Sequence, residues 1–148
     1  GQRMPSWVQA GWDEYARRFP RGMSLQLKES PLAKRSKNAH IEALREAEGN
    51  ALLAAAPTGH RLVALDERGT QWSTMELAGQ MENWMREEKG VCFLIGGPDG
   101  LSQSCRNQAR DTWSLGRLTL PHPLVRTILA EQLYRAWTIS QNHPYHRN

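Results

Sequence analysis

Apolar residues along this chain recur at helical spacing, then at strand spacing, and the two patterns alternate. Val8, Trp12, Tyr15 and Phe19 fall at i, i+4, i+7 and i+11, one face of a helix that Pro5 opens and Pro20 closes. Leu25 and Leu27 alternate with polar neighbours, as in a short strand. After the polar and basic stretch Pro31–Asn38, Asn38 is placed to cap a helix carrying Ile41, Leu44, Leu52 and Leu53, which ends before Pro57 and Gly59. Leu62–Leu65 reads as a second strand, apolar on both faces. Ser73 and Glu76 form a capping-box pattern, with Leu77, Met81 and Trp84 at helical spacing behind it and Gly90 as a stop. Val91–Ile95 is a third, buried strand, Ser102–Ala109 a weaker helix, and Ser114–Leu120 a strand plus loop. The last helix follows Pro123 and carries Val125, Ile128, Leu129, Leu133, Ala136 and Trp137 on its apolar side.

Continuous apolar strands separated by helices predict an α/β domain, a parallel sheet with helices on both faces. The length of 148 residues fits one domain, with no repeat, low-complexity tract or linker dividing it. No apolar run approaches the roughly 20 residues that span a bilayer, and no secretory signal opens the sequence. Two cysteines, Cys92 and Cys105, are too few for a disulfide framework or a four-ligand zinc site, which points to a reducing cytosol and no metal. A net charge of +4 leaves a polyanionic partner open without requiring one.

Ligands of open parallel sheets gather beyond the carboxyl ends of the strands. Three loops are placed there: Leu65–Gly69, Gly96–Gly100, and Gly116–Pro121. Each also reads as an ordinary tight turn, Pro98-Asp99-Gly100 above all. Neither a dinucleotide fingerprint nor a P-loop is present, so any cofactor is held by another arrangement. The C-terminus is more unusual, because Asn142-His143-Pro144-Tyr145-His146-Arg147 gathers two imidazoles, a phenol and a guanidinium suited to proton handling and to phosphate or base contact. Tails of any composition are often frayed. Two histidines with no carboxylate nearby are a poor metal site. In the last helix Glu131 and Arg135 stand at i, i+4 in the favourable order, an ordinary solvated pair, unless Arg126 and Arg135 face a phosphate-rich ligand.

These residues also resemble a known family over essentially the whole chain. The runs Leu94-Ile95-Gly96-Gly97-Pro98-Asp99-Gly100-Leu101, Trp113-Ser114-Leu115, Leu118-Thr119-Leu120-Pro121-His122-Pro123-Leu124-Val125-Arg126, Glu131-Gln132-Leu133-Tyr134-Arg135-Ala136 and His143-Pro144-Tyr145-His146-Arg147 carry the likeness. Met4-Pro5 with Trp7-Val8, and Lys34-Arg35 with Lys37-Asn38-Ala39, extend it. Together they resemble the RlmH family of knotted (SPOUT) methyltransferases. The resemblance implies a homodimer that uses S-adenosylmethionine to methylate N(3) of a pseudouridine in 23S ribosomal RNA of the large subunit, in the cytoplasm and on the assembled ribosome. It implies a C-terminal deep trefoil knot, formed by the three loops, which holds the cofactor. Leu65 would sit against the adenosyl moiety, Gly97 close to it, and Gly116, Arg117, Leu118, Thr119, Leu120 and Pro121 would wrap it. Family members begin with an apolar strand leading into a glycine, so the sequence from Gly1 is expected to lack that first strand.

Methyl transfer to a ring nitrogen requires in-line attack, and the N(3) imide proton must leave first. His146 is the expected proton acceptor, Tyr145 stacks on or orients the base, and Arg135 and Arg147 stabilise negative charge or hold phosphate. Lys34, Arg35 and Lys37 of the basic loop, with Arg17, Arg18 and Arg21, are the expected RNA contacts; each equally suits a solvated surface. A charge of +4 is modest for gripping folded RNA, and pairing two chains doubles it. The rival readings are a knotted methyltransferase acting on another RNA such as transfer RNA, a ribosome-binding factor without turnover, and a sugar-nucleotide or phosphate enzyme using Asp66, Glu67 and Asp99.

Overall fold

The computed structural model describes residues 4–30, 40–97 and 99–147, with Arg147 described by its backbone alone. Helix α1 spans Ser6–Ala16 behind Pro5 and buries Val8 and Trp12. It ends short of the expected Pro20, because the chain turns at Arg17 and lays Phe19 edge-on against Tyr134, 5.9 Å between ring centroids. Helix α2 is Ile41–Ala55. The expected cap Asn38 lies outside the described residues, and the helix starts with His40 at the capping position. Strand β1, Arg61–Gln71, runs well past the four residues that its apolar run predicted. Helix α3, Thr74–Glu87, has the expected capping box: the Ser73 hydroxyl accepts from the Glu76 N–H and the Glu76 carboxylate accepts from the Ser73 N–H. Such a box contributes on the order of 1 kcal/mol.

Strand β2, Val91–Leu94, and helix α4, Gln103–Gln108, follow as expected. Strand β3 is Asp111–Ser114, so of the strand plus loop expected over Ser114–Leu120 the strand part lies further toward the N-terminus and the loop part stands. The reason is local. Gly116 has φ +146°, and the Ser114 hydroxyl accepts from its N–H, so the chain leaves the ladder there and Leu115–Leu120 becomes loop. Helix α5, His122–Ser140, begins one residue before Pro123. A 3₁₀ turn, Pro144–Arg147, closes the chain.

The three strands are parallel in the order β2-β1-β3. Alternation along β1 divides the core. Val63 packs with Leu77, Trp84, Trp113 and Leu129 against α3 and α5, and Ala64 packs with Leu94, Leu101 and Cys105 on the other face, where Leu52 and Leu53 of α2 join them. The predicted helices on both faces are therefore present. The outer edge of β2 has no ladder partner among the described residues, which leaves Val91–Phe93 only half-buried rather than fully buried. Across a cavity of about 330 Å³ it faces Ser24–Ser30. Leu25 and Leu27 line that cavity without a ladder bond, so their alternation does not make the expected strand.

Candidate active site

Registry in the sheet creates the main cleft. Leu65 and Thr70 both pair with Trp113, so the chain between them, 66–69, is pushed out of the ladder at the carboxyl end of the sheet. There it meets the loop after β2 and the loop after β3 around a cleft of about 570 Å³. All three loops singled out in the sequence reach this one space. Leu65, Gly116, Leu118 and Leu120 line it directly. Gly97 stands behind Gly100, whose N–H donates to the Gly97 carbonyl at 3.0 Å. Arg117, Thr119 and Pro121 belong to the same loop as Leu118 without lining the cleft, and Pro98 lies outside the described residues.

Close backbone packing forms part of the cleft wall. At Gly96 a Cβ would lie 2.5 Å from the Gly100 carbonyl carbon and 2.7 Å from the Leu101 nitrogen, so only glycine fits there. Apolar surface comes from Leu65, Ile95, Leu115 and Leu118, the last 78% exposed. Polar groups stand on one side. Asp66 accepts from the Arg68 N–H at 2.9 Å and from Arg106 Nη1 at 3.3 Å. Burial pushes the Asp66 carboxyl up, but the Arg68 N–H and the charges of Arg68 and Arg106 outweigh it and hold it below the usual range. Arg45 donates to the Asp99 carbonyl at 2.9 Å. Burial, reinforced by the charge of Arg126, lowers the His122 imidazole, so it faces the cleft neutral at neutral pH. The motifs did not reveal Arg45, Arg106, Trp113 or His122 as cleft residues; they come from other segments, and folding alone gathers them.

The C-terminal tail is ordered rather than frayed. Asn142 takes φ +56°, the His143 N–H donates to the Thr138 carbonyl at 2.8 Å, and the tail folds back along α5. The Tyr145 hydroxyl donates to Glu131 Oε1 at 3.2 Å, and its ring packs edge-on against Tyr134 with centroids 4.8 Å apart. The Arg135 guanidinium lies 5.0 Å from the Tyr145 ring centroid and that of Arg18 lies 5.8 Å away. Burial, a hydrogen bond with Tyr15 and the charge of Glu131 push the Tyr145 phenol up to about 12. His146 Nδ1 is buried with no hydrogen-bond partner.

Helix geometry separates the two regions. Glu131 stands nine residues beyond His122, about 14 Å along the axis and half a turn around it. None of the described tail residues lines the cleft of the same chain. The expected RNA contacts are dispersed. Lys34, Arg35 and Lys37 lie outside the described residues. Arg17 and Arg21 are exposed, Arg17 being paired with Glu14. Arg18 also pairs with Glu14, at 2.8 Å, and stacks over Tyr15, Tyr134 and Tyr145, an attachment for the tail that the sequence did not indicate. Arg126 pairs with Glu29 at 3.2 Å.

A family model described as "Predicted SPOUT methyltransferase" matches residues 1–146. The chain belongs to the SPOUT methyltransferase family. Among the relatives of this SPOUT methyltransferase is ribosomal RNA large subunit methyltransferase H of Methylococcus capsulatus, 53% identical over 147 residues that cover 99% of this chain and 95% of the relative. The protein is thus a methyltransferase and needs a methyl donor. Among the described residues there is no cluster of three or more possible metal ligands, and no helix is long and apolar enough to cross a membrane.

Proposed function

We propose that the chain transfers the methyl group of S-adenosylmethionine to N(3) of a pseudouridine in 23S ribosomal RNA, on the large subunit of the assembled ribosome in the cytoplasm. The observation that carries this reading is the 53% identity, over nearly the full length of both chains, with a relative named for methylating large-subunit ribosomal RNA. The cleft supports the choice of donor. Its volume of about 570 Å³ lies within the range of cofactor pockets. Its leucines match an adenine face, its glycine loops leave backbone amides approachable, and Asp66 is an ionised acceptor for ribose hydroxyls. When bound, the sulfonium donor supplies an electrophilic methyl group.

The chain's own residues then have distinct tasks. Leu65 and the loop from Gly116 to Pro121, with Gly97 behind it, hold and orient the donor. The N(3) proton needs an acceptor, and a phenol held near 12 is not ionised at neutral pH, so Tyr145 stacks or donates rather than acts as base. His146 is the acceptor in this account; because its Nδ1 is buried, the proton would go to the other ring nitrogen, Nε2. Arg135 and Arg147 stabilise the negative charge that develops on the base or hold a phosphate. The basic loop with Lys34, Arg35 and Lys37, and Arg17, Arg18 and Arg21 just after α1, contact RNA.

The separation of tail and cleft within one chain supports a homodimer. In a two-fold pair the tail of one chain can stand over the cleft of the other, which a single chain does not arrange for itself. The deep trefoil knot of the C-terminal part belongs to the same reading. Methyl incorporation into large subunits carrying the target pseudouridine, assayed against free transfer RNA, tests it. Incorporation into large subunits alone is expected; labelling of transfer RNA with unlabelled ribosomes would overturn the assignment.

A further inference from the structure

The Glu131–Arg135 spacing predicted an ordinary solvated helix pair, yet the two side chains are only 18% and 25% exposed and a third group joins them. Glu131 Oε1 accepts from Arg135 Nε at 2.8 Å and from the Tyr145 hydroxyl at 3.2 Å, and Arg135 Nη2 forms an ion pair with the same oxygen at 2.7 Å. Its other oxygen is also held: Oε2 accepts from Gln132 Nε2 at 2.9 Å, and Gln132 Oε1 in turn accepts from the Thr74 hydroxyl at the start of α3, at 2.9 Å. Both carboxylate oxygens are thus fixed, one by the tail and Arg135, the other by a chain of bonds anchored on a neighbouring helix.

We propose that Glu131 is a positioning residue for methyl transfer, fixing Arg135 and Tyr145 as one unit so that the guanidinium presents its remaining donors at the reacting base. The assignment rests on the reading of the tail given above. Two of the three guanidinium nitrogens face Glu131, Nε as a hydrogen-bond donor and Nη2 as an ion pair, which leaves Nη1 without a described acceptor and turned to its own side of the planar fork. The same guanidinium covers the Tyr145 ring, so ring and charge share one orientation. Tyr15, Arg18 and Tyr134 face the ring as well, so Tyr145 is packed without Glu131; what the carboxylate adds is direction. Aligned groups are where small misplacements cost most, about 100-fold for a displacement of about 1 Å.

Glu131→Gln tests this with almost no change of shape, and both partners are accessible enough to be resolvated, so the variant is expected to fold. Its kcat on ribosomal substrate is expected to fall about 100-fold, while the donor Kd and the KM for RNA stay within about twofold. On an Arg135→Ala/Tyr145→Phe background the same change should add less than about twofold, because Glu131 acts only through those two groups. Wild-type kcat in Glu131→Gln, or a full additional loss on that background, overturns the assignment. If Arg135→Ala/Tyr145→Phe itself keeps wild-type kcat, the tail reading falls and the role of Glu131 with it. If that variant is impaired and Glu131→Gln is not, only the role of Glu131 falls.

Discussion

The cleft beside the N-terminal end of α5 depends on close-packed glycine backbone at two of its loops, whereas the tail on the far side of that helix is held by side chains. At the cleft, Gly96 lies so close to Gly100 that no Cβ fits, and Gly116 turns the chain out of β3 with φ +146°. At the tail, Tyr145 is held by Glu131, Tyr134, Arg135 and Arg18 through hydrogen bonds and ring contacts. A wall of close-packed backbone fails when a new Cβ fills it. A side-chain cluster can carry charge and move protons, and it fails when one group is removed. Substitutions in the two regions should therefore affect different constants.

The largest effect is expected from His146→Ala, which should lower turnover by about 10² to 10⁴ while donor affinity measured by calorimetry stays the same. An equal loss in both constants would erase the distinction between the regions. Gly96→Ala should do the reverse, because its new Cβ meets backbone rather than a flexible side chain. Donor affinity is expected to fall on the order of 10- to 100-fold; unchanged affinity would place the donor elsewhere. Leu118→Ala is a milder probe of the same wall. This side chain is 78% exposed, so it contributes only what a bound donor would cover, about 3- to 10-fold in affinity and nothing in melting temperature.

The smallest effect concerns acid stability. Asp66 is held below the usual carboxyl range in the folded protein, so it binds its proton less readily than in the unfolded chain. Its stabilisation is present above the unfolded value and is lost as pH falls through the folded one. Melting temperatures followed downward from about pH 5 should fall more steeply for the wild type than for Asp66→Asn. Parallel curves would mean that the Arg68 and Arg106 contacts do not favour the carboxylate.

The same contrast explains what the sequence made legible. Glycines directly after strands marked the three loops because a backbone site needs glycine at fixed points. Capping chemistry placed α3 because Ser73 and Glu76 satisfy each other locally. Leu25 and Leu27 misled because alternation describes a half-buried surface, and a strand also requires a neighbour in ladder register. β3 was misplaced because Trp113 and Ser114 carry the strand while the more strand-like Leu118–Leu120 follows the turn at Gly116. The tail was visible as composition alone. That Tyr145 bonds back to Glu131 depends on the reversal at Asn142, and that Arg18 after α1 covers it depends on α1 packing on α5, neither of which a local pattern encodes.

In the proposed homodimer, the cleft of one chain works with the tail of the other. Mixed dimers of Gly96→Ala and His146→Ala chains test it most directly. At a donor concentration near the wild-type Kd, each variant alone should have little activity. After mixing and exchange, a heterodimer joins one intact cleft to the partner's intact tail, so activity should return to about a quarter of wild type for random pairing. No recovery, with exchange of chains verified by mass, would contradict the account and return the tail to the cleft of its own chain.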